Sequence, residues 1–188
     1  MSKLSDKVCR LAGRFARDRR GNAAVEFAFI VPLMLTLFFG TVEFSSGVAV
    51  NRKVTLVART MSDLVSQSST VTDTDLTNFT TTGRAIMTPY ETTPLNTTVS
   101  ELYVDPATLT AKVKWSKGAA PRGTDTTVSI PTALKIGGTY LIYSEVNYKY
   151  VPAVGYVMAK AGITLSDFTF TRPRQSTCVL YSQTVCPT

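Results

Sequence analysis

At 188 residues the chain has room for one membrane segment and one exported domain of ordinary size, but not for two full domains. The formal net charge of +7 is unevenly placed: residues 1–21 hold seven basic side chains (Lys3, Lys7, Arg10, Arg14, Arg17, Arg19, Arg20) against Asp6 and Asp18, a net of +5, and the other 13 basic and 11 acidic groups leave only +2. Such a block directly ahead of an apolar run is a topology signal for the cytoplasmic side rather than a nucleic-acid surface, and the absence of any histidine removes most metal sites and the usual catalytic triads.

The leader carries Leu4, Val8, Leu11 and Phe15 at helix-like spacing. That pattern suits either a short basic amphipathic helix on the inner membrane face or a loosely structured segment. Cys9 lies here, on the side where a disulfide is not expected. The apolar run Ala23 to Val42 is 20 residues long, about 30 Å as a helix, which matches a bilayer core. Glu26 stands one turn inside it, where a carboxylate held deep in lipid costs a few kcal/mol. It is either hydrated at the headgroup level or matched to a partner charge on assembly. Pro32 has no N–H for the carbonyl of Ala28, so a kink or local loosening is expected there, and Gly40 is a second soft point. A cleaved secretory signal is the main competitor. It calls for a shorter apolar core and a small-x-small exit site, for which Gly47-Val48-Ala49 is a weak match.

Beyond the span no turn signal appears. Val50, Val54, Val57, Met61, Leu64 and Val65 continue at spacings of three and four, with Arg52, Arg59, Asp63 and Gln67 on other faces. One helix is therefore expected from about Asn22 to Gln67, about 69 Å long at the standard rise. Arg59 is read as part of a solvated helix surface. Ser68 to Thr82 is a Ser/Thr-rich connector, inside which Thr72-x-x-Asp75 resembles a capping box. Leu76, Phe79, Ala85, Ile86 and Met87 suggest a short helix, weakened by Gly83 and ended near Pro89.

Strands dominate the remainder. Val99–Asp105 and Leu109–Lys117 flank Asp105-Pro106-Ala107, a hairpin turn by composition. Leu109, Ala111, Val113 and Trp115 alternate with polar residues, which predicts a half-buried strand with a solvated face bearing Lys112, Lys114 and Lys117. Gly118–Gly123 reads as a loop and Pro131–Ile136 as a single helical turn. Thr139–Val151 is the strongest strand, with Tyr140, Ile142, Val146, Tyr148 and Tyr150 on one parity and the tyrosine hydroxyls expected to stay wet. Ile163–Thr171 is the last strand. Cys178 and Cys186 close a short loop as a disulfide if that end is exported, and are free thiols if it is not. The expected fold class is α+β, a long N-terminal helix packed on an antiparallel sheet of about four strands. Its parts are a basic leader (1–21), a transmembrane half-helix (22–42), an amphipathic half-helix (43–67) and an exported head (68–188). With no Gly-rich phosphate loop, CxxC pair or zinc spacing, no enzyme activity, cofactor or metal is expected.

RRG followed by NAAVEF resembles the cleavage site of type IV prepilins and pseudopilins. The resemblance implies a cut between Gly21 and Asn22 by a prepilin peptidase on the cytoplasmic side, leaving Glu26 as the fifth residue of the mature chain. It further implies that Glu26 of one subunit pairs with the new Asn22 amine of a neighbour. The longer run GNAAVEFAFIVPLMLTLFFGTVEF, with Glu26, Pro32 and Glu43, resembles the TadE/TadF-like minor pseudopilins of tight-adherence (Flp) pilus systems. VARTMSD and the closing RPR are similar too. Phe27 stands where the short main pilins usually have tyrosine, and the TadG-like components are far longer and tend to lack the glutamate. This likeness implies a single-pass protein of the bacterial inner membrane with a periplasmic head. Its partners would be the peptidase, other pilins and pseudopilins, the inner-membrane assembly platform and membrane lipid, and its role the initiation or tip of a pilus used in attachment. Two alternatives share the anchor and head: a signal-anchored exported binding protein or adhesin, uncut at Gly21, and a type II secretion pseudopilin.

Overall fold

The apolar run does form a helix, and that helix does not stop at the end of the run. The computed structural model of the protein describes residues 20–152, 162–182 and 185–187, so the leader and Cys9 lie outside the described residues. Helix α1 spans Arg20–Ser66, 47 residues with Pro32 inside it. Within the apolar stretch the hydroxyls of Thr36 and Thr41 donate back to the carbonyls of Pro32 and Leu37, both at 2.8 Å, which satisfies polar groups locally where no water is at hand. The chain divides into two compact units, Met1–Ser45 and Ser46–Thr188.

In the second unit α1 supplies the core. Val50, Val54, Val57, Met61 and Val65 are all buried, as the spacing predicts, and Ala58 is buried with them. Leu64 belongs to the same run but is only half-buried. Complete burial of five such side chains is worth about 10 kcal/mol as an upper estimate. After the short strand β1 (Thr70–Val71) comes α2 (Asp73–Met87), so most of the expected connector is helix. Its N-terminus is a full capping box: the Asp75 amide donates to the Thr72 hydroxyl at 3.2 Å, and the Thr72 amide donates to the Asp75 carboxylate at 3.0 Å. The Thr72 hydroxyl, which donates to the Asp75 carboxylate at 2.7 Å, and then the Thr72 amide hold Asp75 below the usual carboxylate range. At the other end Lys53 of α1 donates to the carbonyls of Ile86 and Thr88, both at 2.7 Å, placing a cation where the helix leaves carbonyls unpaired. Gly83 is a contact point rather than a weakness: a Cβ there would lie 3.1 Å from Val57.

The sheet comprises β2 (Leu95–Val104), β3 (Ala111–Gly118), β4 (Thr127–Val128), β5 (Tyr140–Tyr150) and β6 (Ile163–Thr171), with a 3-10 turn at Thr132–Leu134 between β4 and β5. Its order is β4-β3-β2-β5-β6, and every neighbouring pair is antiparallel. A separate parallel pair joins β1 to β7 (Leu180–Tyr181). The sheet thus has five strands where about four were expected. The additional strand, β4, is two residues long, too short to leave a periodic signal.

Both faces of the central strands β2 and β5 are covered. One core packs the α1 stripe and α2 against Leu95, Val99, Trp115, Ile142, Val146 and Tyr148. The other gathers Leu102, Val104, Ala111, Val113, Leu141 and Tyr143 under Val128 and Ile130. Strict alternation along β3 fails for a specific reason. Glu101 pairs with Trp115 but Leu102 pairs with Val113, so Lys114 is the extra residue of a β-bulge. The bulge sends Trp115 to the helix-covered face and leaves Ala111 and Val113 on the other. Leu109 is not in the strand at all. It adopts φ 54° in the turn, where the Asp105 carboxylate accepts the amides of Ala107 and Thr108 at 2.7 and 3.2 Å. Two tyrosine hydroxyls expected to be wet are bonded instead, Tyr148 donating to the carbonyl of Glu91 and Tyr140 to that of Pro187.

Gly118 ends β3 at φ 134°, and a Cβ there would lie 2.2 Å from the Thr97 carbonyl oxygen. Gly118→Ala should therefore destabilise the head by about 2 kcal/mol or more. Thermal or urea unfolding of the full chain in detergent measures this, and an unchanged midpoint would count against the close approach.

Candidate functional site

Two parts of the chain hold groups that need a functional reason. The first is the N-terminal stretch of α1. Gly21 is exposed, and among the described residues nothing lies within 4 Å of where its Cβ would be, so packing gives no reason for a glycine there. Asn22 follows within the same helix. Glu26 is exposed, and around it Val25, Phe27, Phe29, Ile30 and Leu33 are exposed as well, Phe29 by 77%. Such a surface is stable only under cover of lipid or of other apolar helices. Pro32 sits further along the same exposed run, and α1 continues through it. This is the one helix in the described residues long and apolar enough to cross a membrane.

Residues 21–61 match the family model described as TadE-like protein. The N-terminal segment is similar to that family. The match begins at Gly21, where the basic run ends, and stops at Met61, inside the buried stripe, so it lies wholly within α1. The apolar helix that carries this match is compatible with a single-pass membrane anchor. No curated protein and no solved structure matches the chain.

The second part is in the head, which lies outside the TadE-like match. Glu101 is fully buried on β2. One carboxyl oxygen accepts the amide of Val179 at 2.6 Å. Its cross-strand partner Trp115 donates its indole N–H to the carbonyl of the same Val179 at 2.7 Å. Two side chains of the sheet thereby hold both backbone groups of one tail residue, as a neighbouring strand would. The hold continues on either side: the Leu180 amide donates to Ser69 and the Arg174 amide to Ser66. Cys178 and Cys186 are joined by a disulfide with Cα atoms 5.8 Å apart, so the gripped residue is the first one inside the closed loop. Among the described residues, the second oxygen of Glu101 and the Ser144 hydroxyl are buried with no hydrogen-bond partner. An unsatisfied group of this kind costs about 1–3 kcal/mol.

Burial pushes Glu101 up to about 7, against the pull of the Val179 amide and the Trp115 indole. Glu101 was not among the residues expected to matter. The signal was its place in VSELYV, where an acid shares parity with Val99. Alternation reads such an acid as solvent-facing, but β2 is covered on both sides. The three lysines of β3 are also accounted for within the fold. Lys114 pairs with Asp125 at 3.1 Å and lies over the Tyr103 ring, and Lys117 lies over Tyr181 and 3.9 Å from Asp73. Lys112 stands near Asp105, whose carboxyl is held low mainly by the turn amides.

The sign of the pH dependence follows. Between the ordinary value of 4.5 and about 7, the folded head keeps a proton that the unfolded chain has released. Stability is therefore greatest at the acid end of that window and falls as pH rises through it. Glu101→Gln, which keeps an acceptor for Val179 without the charge, should raise stability near pH 8 by on the order of 2 kcal/mol and flatten the profile. Unfolding midpoints of both proteins across this range test it. A wild-type profile that rises with pH would contradict it.

Proposed function

We propose that this protein is a minor pseudopilin of a tight-adherence pilus, held in the inner membrane with its head in the periplasm until a prepilin peptidase cuts between Gly21 and Asn22. The observation that supports this most is a coincidence of four features. The basic run, the start of the TadE-like match and a glycine with no packing role meet at residue 21, and an exposed carboxylate follows at Glu26.

The chemistry fits the reading. Removing residues 1–21 creates an α-amino group at Asn22, on the turn of helix below Glu26. In a bundle of such helices, Glu26 of an incoming subunit faces the amine of a neighbour. A pair of opposite charges offsets the desolvation of each in lipid, and the pairing fixes the axial register of the subunit. The exposed apolar surface from Val25 to Val42 passes from lipid to the sides of other helices with little change in environment. The protein is then a substrate of an enzyme and not an enzyme itself. Its partners are the peptidase, other pilins and pseudopilins, and the assembly platform, and its place is at the initiation or tip of the fibre.

Glu26→Ala separates anchoring from assembly. The variant should still be cut and should still fractionate with membranes, because losing a carboxylate eases insertion. Its amount in sheared pilus fractions should fall by about tenfold or more, the scale of one lost charge pair in lipid. Normal incorporation of the variant would remove the charge-pairing mechanism.

A further inference from the structure

The sheet has two edges, and they are treated differently. β4 ends one edge after two residues, which leaves almost nothing to pair with. β6 forms the other edge, nine residues long, and its register with β5 runs without a bulge from Ile163 to Thr171. It contains no proline and no lysine, and among the described residues no strand pairs with its outer side. No proline, lysine or bulge blunts this edge, and its one charge, Asp167, is turned toward Thr55 of α1.

The two faces flanking that edge carry different chemistry. On the α1 side Thr169 and Thr171 line an open groove of about 370 Å³ with Arg59, Thr60, Asp63, Leu64 and Arg174. Both acids near it are occupied: Asp63 is held by Arg174 at 2.6 Å, and Asp167 accepts the hydroxyl of Thr55. Arg59 is exposed and has no acid partner among the described residues. On the opposite face Phe168 is 58% exposed, beside Phe170, which stacks on Tyr143 with ring centroids 4.6 Å apart.

The geometry points to β6 as a docking edge for an extended segment of another protein, one whose side chains alternate between acidic and apolar. Added to β6 as a sixth strand, such a segment would pair its backbone with the open edge. Strand periodicity would send its acidic side chains toward Arg59 and its apolar side chains toward Phe168. A second copy of this chain is a poorer match, because β6 offers only one acid, Asp167, and that one is engaged. The inference rests on the unit Ser46–Thr188 and does not depend on cleavage at Gly21.

The test uses the full chain in detergent micelles and two labelled nine-residue peptides, one alternating Glu with Val and the other Lys with Val. Binding is followed by fluorescence anisotropy and by amide exchange over residues 163–171. The Glu peptide should bind at least about tenfold more tightly than the Lys peptide and should slow exchange in β6. Arg59→Glu should reverse that preference, and Phe168→Asp should weaken both peptides, with thermal midpoints unchanged in each variant. No binding of the Glu peptide, or binding that leaves exchange in β6 unaltered, would overturn the proposal. So would sedimentation showing a dimer of the free chain that Phe168→Asp dissociates, since the occupant would then be a second copy.

Discussion

The head depends on one strip of one helix. Val50, Val54, Val57, Met61 and Val65 are the side chains against which α2 and the central strands pack. Two secondary features follow from that strip. Gly83 lets α2 lie close to Val57, and Lys53, on the flank of the strip, holds the end of α2. Upstream of the strip the same helix meets a different demand. From Val25 to Val42 it shows apolar side chains outward, a surface with no place in water. A helix of this composition is stable only if its first part has lipid or other helices around it.

Much of this was legible in the residues. The spacing of three and four from Val50 to Val65 announced the buried face. The Thr72/Asp75 box announced the start of α2, and Asp105-Pro106-Ala107 announced the hairpin. What stayed hidden depended on contacts distant in sequence. The bulge at Lys114 arises from how β3 must register with β2 while feeding Trp115 to the helix side. β1 and β7 are two residues each and exist because the tail returns to the end of α1. Glu101 stayed hidden because period-2 reasoning assumes one wet face, and β2 has none. At the N-terminus the reverse holds: Gly21, Glu26 and the basic block are local features, readable without any tertiary contact.

The grip on Val179 and the N-terminal stretch serve opposite ends of the same design. At the tail, a buried carboxyl, an indole and a disulfide fix a short loop. At the N-terminus, the proposed mechanism leaves the helix free to change its surroundings, from bilayer to helix bundle, without refolding. A rigid head carried on such a helix can be stored first and assembled later, which is what a pseudopilin requires.

Cleavage between Gly21 and Asn22 is the step on which that role turns. The intact mass of the protein extracted from membranes, compared between cells with and without the prepilin peptidase, tests it most directly. A chain beginning at Asn22 when the peptidase is present, and retaining residues 1–21 when it is absent, is the expected result. A chain that keeps its leader in both would contradict it and leave an uncut anchor carrying an exported head.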